Sequence, residues 1–400
     1  MALDPVGPHV PEQSIRELPS VAARGPGGRP PPPGPGVGRD RRWRRALRTI
    51  ALAVAVVVLV ALIGTAYVAV RLQSIGRISV AGIRPVGSGA PQTILLAGSD
   101  SRAGESAAQA SHFGSAAEVS GQRSDVIVLI HLVPATGRAS MLSIPRDLLV
   151  RLAGTQSSNR INAAFATSPA ELVATIEQDF GIVVNHYAQE DFSGLQGITD
   201  AVGGVCMSFP YPVRDGSPSG AGNESGLDIP TAGRHVLHGA QALALVRSRF
   251  YQYERGGVWH AEGTGDLGRI QRQHSFMRAL AAKATHAALH NPFTANAVLS
   301  RAVHDVRVDT TYTTIGMLRL GLHLRSLHAS AMPSFTLPTR PATDGALGAV
   351  LMPVPTQDSA TIAAWLAYGS APATSNGTAP GSPPAAPPAA PLPPWDPTPC

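Results

Sequence analysis

The sequence predicts a layered α/β domain carried behind a single transmembrane helix. Three observations lead there: one long uncharged apolar run near the start, short β-branched runs alternating with amphipathic helices downstream, and proline-rich segments at both ends. A chain of 400 residues is long enough for two or three domains, but its uneven composition favours a single folded core.

The apolar run, residues 49–70, reads TIALAVAVVVLVALIGTAYVAV and carries no charge. At about 1.5 Å per residue, about 22 residues cross a hydrocarbon layer of roughly 30 Å. Arg48 and Arg71 bracket it, and Arg39, Arg41, Arg42, Arg44 and Arg45 crowd its upstream side. Basic residues beside a span stay in the cytoplasm, so residues 1–48 are expected inside and the large domain outside, in a single-pass protein of the cell membrane. A cleaved signal peptide fits less well, because the apolar core is long and begins about 50 residues into the chain.

Charge distribution excludes one function class. The net charge of +6 comes wholly from residues 1–71, where 10 arginines face 4 carboxylates; from Leu72 onward 22 basic residues balance 22 acidic ones. A neutral domain has no surplus with which to grip nucleic-acid phosphates, so no nucleic-acid partner is expected. The predicted organisation is a disordered, basic, Pro/Gly-rich leader (1–48), the helix (49–70), a stalk (71–92), a folded domain (93–368) and a Pro/Ala-rich spacer (369–400). Cys206 and Cys400 would both lie in the oxidising compartment, either bridged or as two free thiols.

Within the domain, TILLAG (93–98), VIVLIHLV (126–133), ASMLSI (139–144) and IVVNHYA (182–188) read as strands; the continuous apolarity of the first three suits strands buried on both faces. Ser168, Pro169 and Glu171 form a capping-box start for a helix that carries Leu172, Val173, Ile176 and Phe180 and stops at Gly181. Further helices are expected over 239–249 and from Asp266 to about Ala284.

Charges stand at the ends of the apolar strands. Asp100 and Arg102 follow the first, Arg123 and Asp125 open the second, and Arg146 and Asp147 close the third. Open α/β sheets place ligands at strand ends, which makes a shared site the natural reading, although polar strand ends also occur as plain solvated loops. In the helix from Asp266, Asp266, Arg269 and Gln273 lie within about 60° of one another, on the side that carries Ile270, Met277 and Leu280. Arg272, Ser275, Arg278 and Lys283 are expected on a solvated face. Buried without partners, the inward trio would be costly, so it either pairs internally or lines an anion site. Arg247 and Arg249 add two guanidinium groups, and Arg is suited to bidentate phosphate contact. Carboxylates beside a phosphate repel it unless a cation bridges them, which makes Asp100 and Asp125 candidate Mg²⁺ ligands. No P-loop, GxSxG or HExxH motif occurs, and His131, His186, His235 and His238 show no metal-ligand spacing.

The motifs ILLAGSDSR, RSDVIVLIHL, SIPRD, RINAAF, VRSRF and DLGRIQRQ, in this order behind one span, resemble the LytR-CpsA-Psr family of wall glycopolymer transferases. The resemblance implies an α/β/α sandwich with a mixed central sheet. It also implies transfer of a glycopolymer from a polyprenyl-pyrophosphate carrier to a peptidoglycan hydroxyl, with Mg²⁺ or Mn²⁺ and release of prenyl phosphate. Carried over by motif, Asp100 and Asp125 hold the metal, while Arg102, Arg123, Arg146, Arg247, Arg249, Arg269 and Gln273 grip the pyrophosphate. Asp266, with Arg146 and Arg269, forms the catalytic set, Asp266 orienting the arginines and helping to deprotonate the acceptor. A prenyl pocket is implied as well, with Phe165, Leu172, Ile176 and Phe180 as possible lining. A plain polyprenyl pyrophosphate hydrolase and a non-catalytic wall-anchoring binder of lipid-linked glycan are the rival readings, while transcriptional control conflicts with the topology.

Two departures qualify the likeness. Arg160 stands where the family often has lysine, and long segments occupy 103–122 and 251–265, both candidate mobile flaps. The second carries Tyr251, Tyr253 and Trp259, rings suited to stacking on a sugar.

Overall fold

The computed structural model describes residues 37–99, 124–216, 225–324, 332–370 and 393–400. The chain divides into two units, one ending at Leu62 and one running from Ile63 to Cys400. Helix α1 (Val37–Gln73) contains the apolar stretch Ala46–Gln73, which among the described residues is the one helix long and apolar enough to cross a membrane. Its side chains are exposed from Ala46 to Tyr67, which suits a lipid surround. Within the second unit its last turns meet the domain: the Tyr67 hydroxyl donates to Asn296 Oδ1 at 2.6 Å and Arg71 to Ser300 Oγ at 2.5 Å.

The second unit then runs β1 (Gly76–Ile78), β2 (Gln92–Ser99), β3 (Ser124–Val133), β4 (Arg138–Ser143), β5 (Leu149–Arg151), β6 (Ser158–Arg160), α2 (Ile161–Thr167), α3 (Pro169–Phe180), β7 (His186–Asp191), α4 (Phe192–Ala201), β8 (Val205–Phe209), β9 (Val213–Asp215), β10 (Asp228–Ile229), β11 (Gly233–Leu237) and α5 (Gly239–Arg247). It continues through β12 (Tyr251–Arg255), β13 (Val258–Ala261), α6 (Asp266–His290), α7 (Pro292–Asp305), β14 (Val306–Asp309), α8 (Thr314–Leu324), β15 (Ser334–Thr336), β16 (Thr339–Asp344), β17 (Gly348–Pro353), α9 (Pro355–Ser370) and β18 (Thr398–Pro399).

Seven strands form a mixed central sheet in the order β1-β14-β7-β2-β3-β4-β15. The pairs β1/β14, β7/β2 and β4/β15 are parallel and the others antiparallel. Successive side chains in a strand point to opposite faces, so the apolar runs of β2, β3 and β4 feed two cores. Leu95, Ala97, Ile127, Leu129 and Leu142 pack with Phe165, Leu172, Ile176 and Trp365. Val128, Leu132 and Met141 pack with Val308, Tyr312 and Leu320 on the other side. The sheet is therefore covered on both faces, the α/β/α arrangement expected. Trp365 fixes α9 to β4, its indole donating to Ser140 O at 3.2 Å while Ser140 Oγ donates back to Trp365 O at 3.0 Å. Phe165, Leu172 and Ile176, offered above as prenyl-pocket lining, are core residues at 2% exposure or less, while Phe180 is half-buried and lines an open groove with Leu149, Ile362 and Leu366.

The capping signals hold: Ser168 Oγ accepts from the Glu171 amide at 3.0 Å, and Gly181 closes α3 in the left-handed region at φ 65°. Strand β7 begins at His186, later than the 182–188 reading. Asn185 breaks the ladder, because its side-chain oxygen accepts from Thr93 N at 2.7 Å and its amide donates to Arg84 O at 2.8 Å.

A third core joins α4, α5, α6 and α7 to the strands β8, β9 and β12 through Leu195, Met207, Val213, Leu245, Tyr251, Phe276 and Leu280. The end of the chain returns onto it. Residues 393–400, read from sequence as part of a spacer, are folded: β18 pairs with β8, and Cys206 and Cys400 form a disulfide with Cα atoms 5.5 Å apart. This settles the cysteine alternatives in favour of the bridge. It also changes α6, whose Arg272 and Ser275 were expected in solvent and are fully buried. The returning chain helps to cover Arg272 and supplies Asp396 as its partner at 3.2 Å. Arg278 is half-buried, while Lys283 is exposed as expected.

The bridge closes a separation of 194 residues, so its removal frees a large loop in the unfolded chain. Reduction or Cys400→Ala should cost about 2–5 kcal/mol of stability. Equal urea midpoints with and without reductant would contradict this.

Candidate active site at one end of the central sheet

The register of β2, β3, β4 and β7 decides where the charged strand ends meet. Gly98 lies opposite Val126 on β3 and Glu190 on β7; Ser99 lies opposite Ser124 and Asp191. Ser143, at the end of β4, lies opposite Val128. The exits of β2, β4 and β7 and the entrance of β3 therefore share one end of the sheet. Asp100, Arg102 and Arg123 lie outside the described residues, but the chain leaves the sheet one residue before Asp100 and re-enters it one residue after Arg123. Asp125 sits on β3 at this end, its side chain again outside the description. A register shift at Gly98/Ser99 marks the place, and a Cβ on Gly98 would stand 3.1 Å from Val126 Cβ, so a side chain there would press directly on the neighbouring strand.

Arg146 follows β4 after Ser143, Ile144 and Pro145. Its guanidinium is mostly buried, with Nε 3.5 Å from Asp147 Oδ2. Arg160 braces this loop from the other side, 3.7 Å from Asp147 Oδ1, and donates to the carbonyls of Leu347 and Ala349. The arginine in the usual lysine position thus faces the β16–β17 hairpin and Asp147.

Helices α5 and α6 bring the second half. Arg247 ends α5 and Arg249 follows two residues later, both half-buried. On α6, Arg269 is 1% exposed and Gln273 is 7% exposed, on the inward face that periodicity indicated. Gln273 Nε2 donates to Val246 O at 2.9 Å, tying α6 to the end of α5. A small, largely apolar cavity joins the halves, with Gln273, Met277 and Val246 facing Leu96, Gly98, Val126 and Glu190. The sheet end and α6 therefore line one space. The Asp266 side chain lies outside the described residues, although Asp266 opens α6.

The first turn of α6 is shaped by a feature that motif reading passed over. Glu262 and Asp396 flank Arg272; Glu262 binds it through both carboxylate oxygens, and Arg272 also donates to Ser248 O at 2.9 Å and lies over the Tyr251 ring. Burial works against the Arg272 charge, but the bond and charge of Glu262, with Asp396, hold its pKa above the ordinary value. Gly268 explains the close approach: a Cβ there would lie within 2.7 Å of the Glu262 carboxylate oxygens. Burial raises Asp396 to about 6, against the opposing pull of Arg272. A second brace joins α6 to the end of β4, where Ser143 Oγ bonds to His274 Nε2. Full burial, followed by the nearby Arg278 charge, lowers His274 to about 3, so the ring is neutral.

The donor set suits a hard cation. The same sheet end carries Asp125 and Glu190 and adjoins Asp100 and Asp191, all oxygen ligands of the kind Mg²⁺ or Mn²⁺ accepts. Among the described residues, no group of three or more His, Cys, Asp or Glu is positioned as a metal cage by itself.

The profile of the LytR_cpsA_psr family matches residues 77–361. The chain belongs to the LytR-CpsA-Psr family. Among curated relatives, it is similar to the probable cell wall biosynthesis protein LcpB of Corynebacterium glutamicum, 36% identical over 233 residues that cover 58% of this chain and 51% of LcpB. It is also similar to the polyisoprenyl-teichoic acid–peptidoglycan teichoic acid transferase TagV of Bacillus subtilis, 34% identical over 161 residues covering 40% of this chain and 38% of TagV. The chain thus spans about half or less of these relatives. Its fold is shared by the LytR-Csp2A-Psr enzyme from Actinomyces oris, with TM-score 0.56, 24% identity and coverage of 73% of this chain and 95% of that one. Crystalline TagV of Bacillus subtilis superposes with TM-score 0.52, 24% identity and coverage of 70% and 98%.

For this LytR-CpsA-Psr member, sequence reasoning missed Glu190, Glu262, Asp396 and His274. None carried a usable local signal; the partner of Glu262 is Arg272, which helical period had placed on the solvated face. The neutral, buried His274 sets a pH dependence. The unfolded imidazole binds a proton near pH 6.5 and the folded one only near 3, so this contribution is complete above pH 6.5 and is lost on acidification. His274→Gln should flatten the stability–pH slope below pH 6.5, read from urea midpoints at several pH values; an unchanged slope would refute the assignment.

Proposed function

We propose that this protein is a phosphotransferase that moves a glycopolymer from a polyprenyl-pyrophosphate carrier to a peptidoglycan hydroxyl, releasing prenyl phosphate. The observation that carries the reading is that residues of β2, β3 and β7 at one end of the sheet line one cavity with the inward face of α6, at the same sheet end where β4 exits. Family membership and the transferase named for the TagV relative support it.

In this reading Arg102, Arg123, Arg146, Arg247, Arg249 and Arg269, with Gln273, bind the pyrophosphate and neutralise charge that grows on its oxygens. The acceptor oxygen forms a bond to the phosphorus that bears the glycan, and the bond from that phosphorus to the bridging oxygen of prenyl phosphate breaks. The acceptor proton passes to the Asp266 carboxylate, which also orients the arginines. A divalent ion held by Asp100 and Asp125 would supply further charge neutralisation on the phosphate oxygens. Buried guanidinium groups held in place beforehand act in a low dielectric, where each is worth far more than in water. The apolar side chains Leu96, Val126, Leu195 and Met277 beside Gln273 are the residues we assign to the carrier's lipid end, in place of the buried Phe165, Leu172 and Ile176.

The membrane reading follows from the same logic. Residues 1–48 are cytoplasmic, α1 crosses the cell membrane once and the domain is extracytoplasmic. The arginines before the span and the disulfide, a bond of oxidising compartments, support that orientation.

Arg146→Ala and Arg269→Ala should each lower turnover about 10²-fold or more, by the measure of other preorganised charge donors. Turnover should stop in chelator and return with Mg²⁺ or Mn²⁺. The assay is release of prenyl phosphate from a lipid pyrophosphate glycan by the full-length protein, with products separated by mass spectrometry. Full activity in either variant would overturn the proposal, and release without transfer to added peptidoglycan would reduce the protein to a hydrolase.

A further inference from the structure

The segment between Arg249 and Asp266, expected as a mobile flap, is the ordered β12–β13 hairpin within a four-stranded antiparallel sheet, β10-β9-β12-β13. Its two roots are fixed close to the candidate active site. Asp215 Oδ1 accepts from Phe250 N at 2.9 Å and from Ser248 Oγ at 2.7 Å, and Glu262 is locked on Arg272.

The structure divides the three rings that sequence singled out. Tyr251 is fully buried beneath Arg272. Tyr253 is stacked against Trp395 of the returning chain, with centroids 5.2 Å apart and planes at 5°, and against His260 at 5.4 Å. Its face of the hairpin is therefore closed by the protein itself. Trp259 stands opposite Glu254, on the alternate face, beside the Gln252–Arg214 pair. The Arg214 guanidinium lies 4.1 Å from the Trp259 ring centroid, and its Nε donates to Gln252 Oε1 at 2.9 Å. Gly216 presses on Gln252, since a Cβ there would fall 2.4 Å from the amide nitrogen, so this amide is held in place.

We propose that Trp259, Gln252 and Glu254 form a docking platform for the acceptor, an uncharged chain of acetamido sugars. The inference rests on the transferase reading and names the chemistry of its second substrate. An indole ring offers an apolar plane to the C–H face of a pyranose, and a fixed amide with a neighbouring carboxylate accepts from ring hydroxyls and an acetamide N–H. Charge selects acceptor over donor. On the platform the Arg214 and Glu254 charges balance, leaving a surface with no net charge, whereas the pyrophosphate end of the site is rich in arginine. Reach agrees: Glu254 is five residues beyond Arg249, about 16 Å along an extended strand at about 3.3 Å per residue, a span of a few sugar units.

The test uses full-length protein in detergent micelles and a β-1,4-linked N-acetylglucosamine tetramer, with binding followed by calorimetry. Trp259→Ala should weaken binding at least tenfold, Trp259→Phe less, and Phe293→Ala, at an 84% exposed surface position, should bind as wild type. In transfer assays Trp259→Ala should raise KM for the acceptor while kcat stays within twofold. Wild-type binding by Trp259→Ala overturns the platform, as does a Trp259 effect confined to a polyglycerol-phosphate probe. Tetramer binding that depends on Trp259, in a protein that never transfers, supports the platform and overturns the transferase reading alone.

Discussion

The antiparallel register of β2, β3 and β4 is the constraint on which the site depends. Strand β2 exits where β3 enters and where β4 exits, so residues distant in sequence reach one end of the sheet. A slip of one residue would turn every side chain of a strand to the wrong face. The two-sided apolar packing prevents it, because Leu95, Leu129 and Leu142 face one core while Val128, Leu132 and Met141 face the other. The hydrophobic pattern that builds the sheet thereby also places the charged termini.

Helix α6 closes the site from above, and its position is held by polar bonds as well as apolar packing. Arg272 is fully buried between two carboxylates, an arrangement that favours one geometry more than it adds stability, since desolvating the three groups offsets much of their attraction. Because Asp396 comes from the end of the chain, the helix bearing Arg269 and Gln273 is linked to a segment held by the Cys206–Cys400 bridge. On the opposite side, His274 joins the same helix to Ser143 at the end of β4. Gln273 is thus set against the sheet by contacts of its two sequence neighbours, with Arg269 one turn before them on the same helix.

Much of this was legible beforehand, for physical reasons. Strands β2, β3 and β4 announced themselves as continuous apolar runs, and α3 by Ser168 and Gly181, because local chemistry alone specifies such elements. The inward placement of Arg269 and Gln273 followed from helical period. Three features were hidden because they depend on contacts distant in sequence. Arg272 looked solvent-facing since nothing local predicts that residues 393–400 return to cover it. Phe165, Leu172 and Ile176 are apolar on a helix face, and periodicity does not separate a core from a ligand pocket. Tyr251, Tyr253 and Trp259 looked alike as loop aromatics until strand alternation and Trp395 gave each a separate role.

A crystal structure of the full-length protein with a prenyl pyrophosphate and Mn²⁺ tests the central claim most directly. The account predicts anomalous manganese density between Asp100 and Asp125 at the β2–β3 end of the sheet, with phosphate oxygens in hydrogen-bonding distance of Arg146 and Arg269. Pyrophosphate bound away from that end, with those arginines contacting only protein, would contradict it.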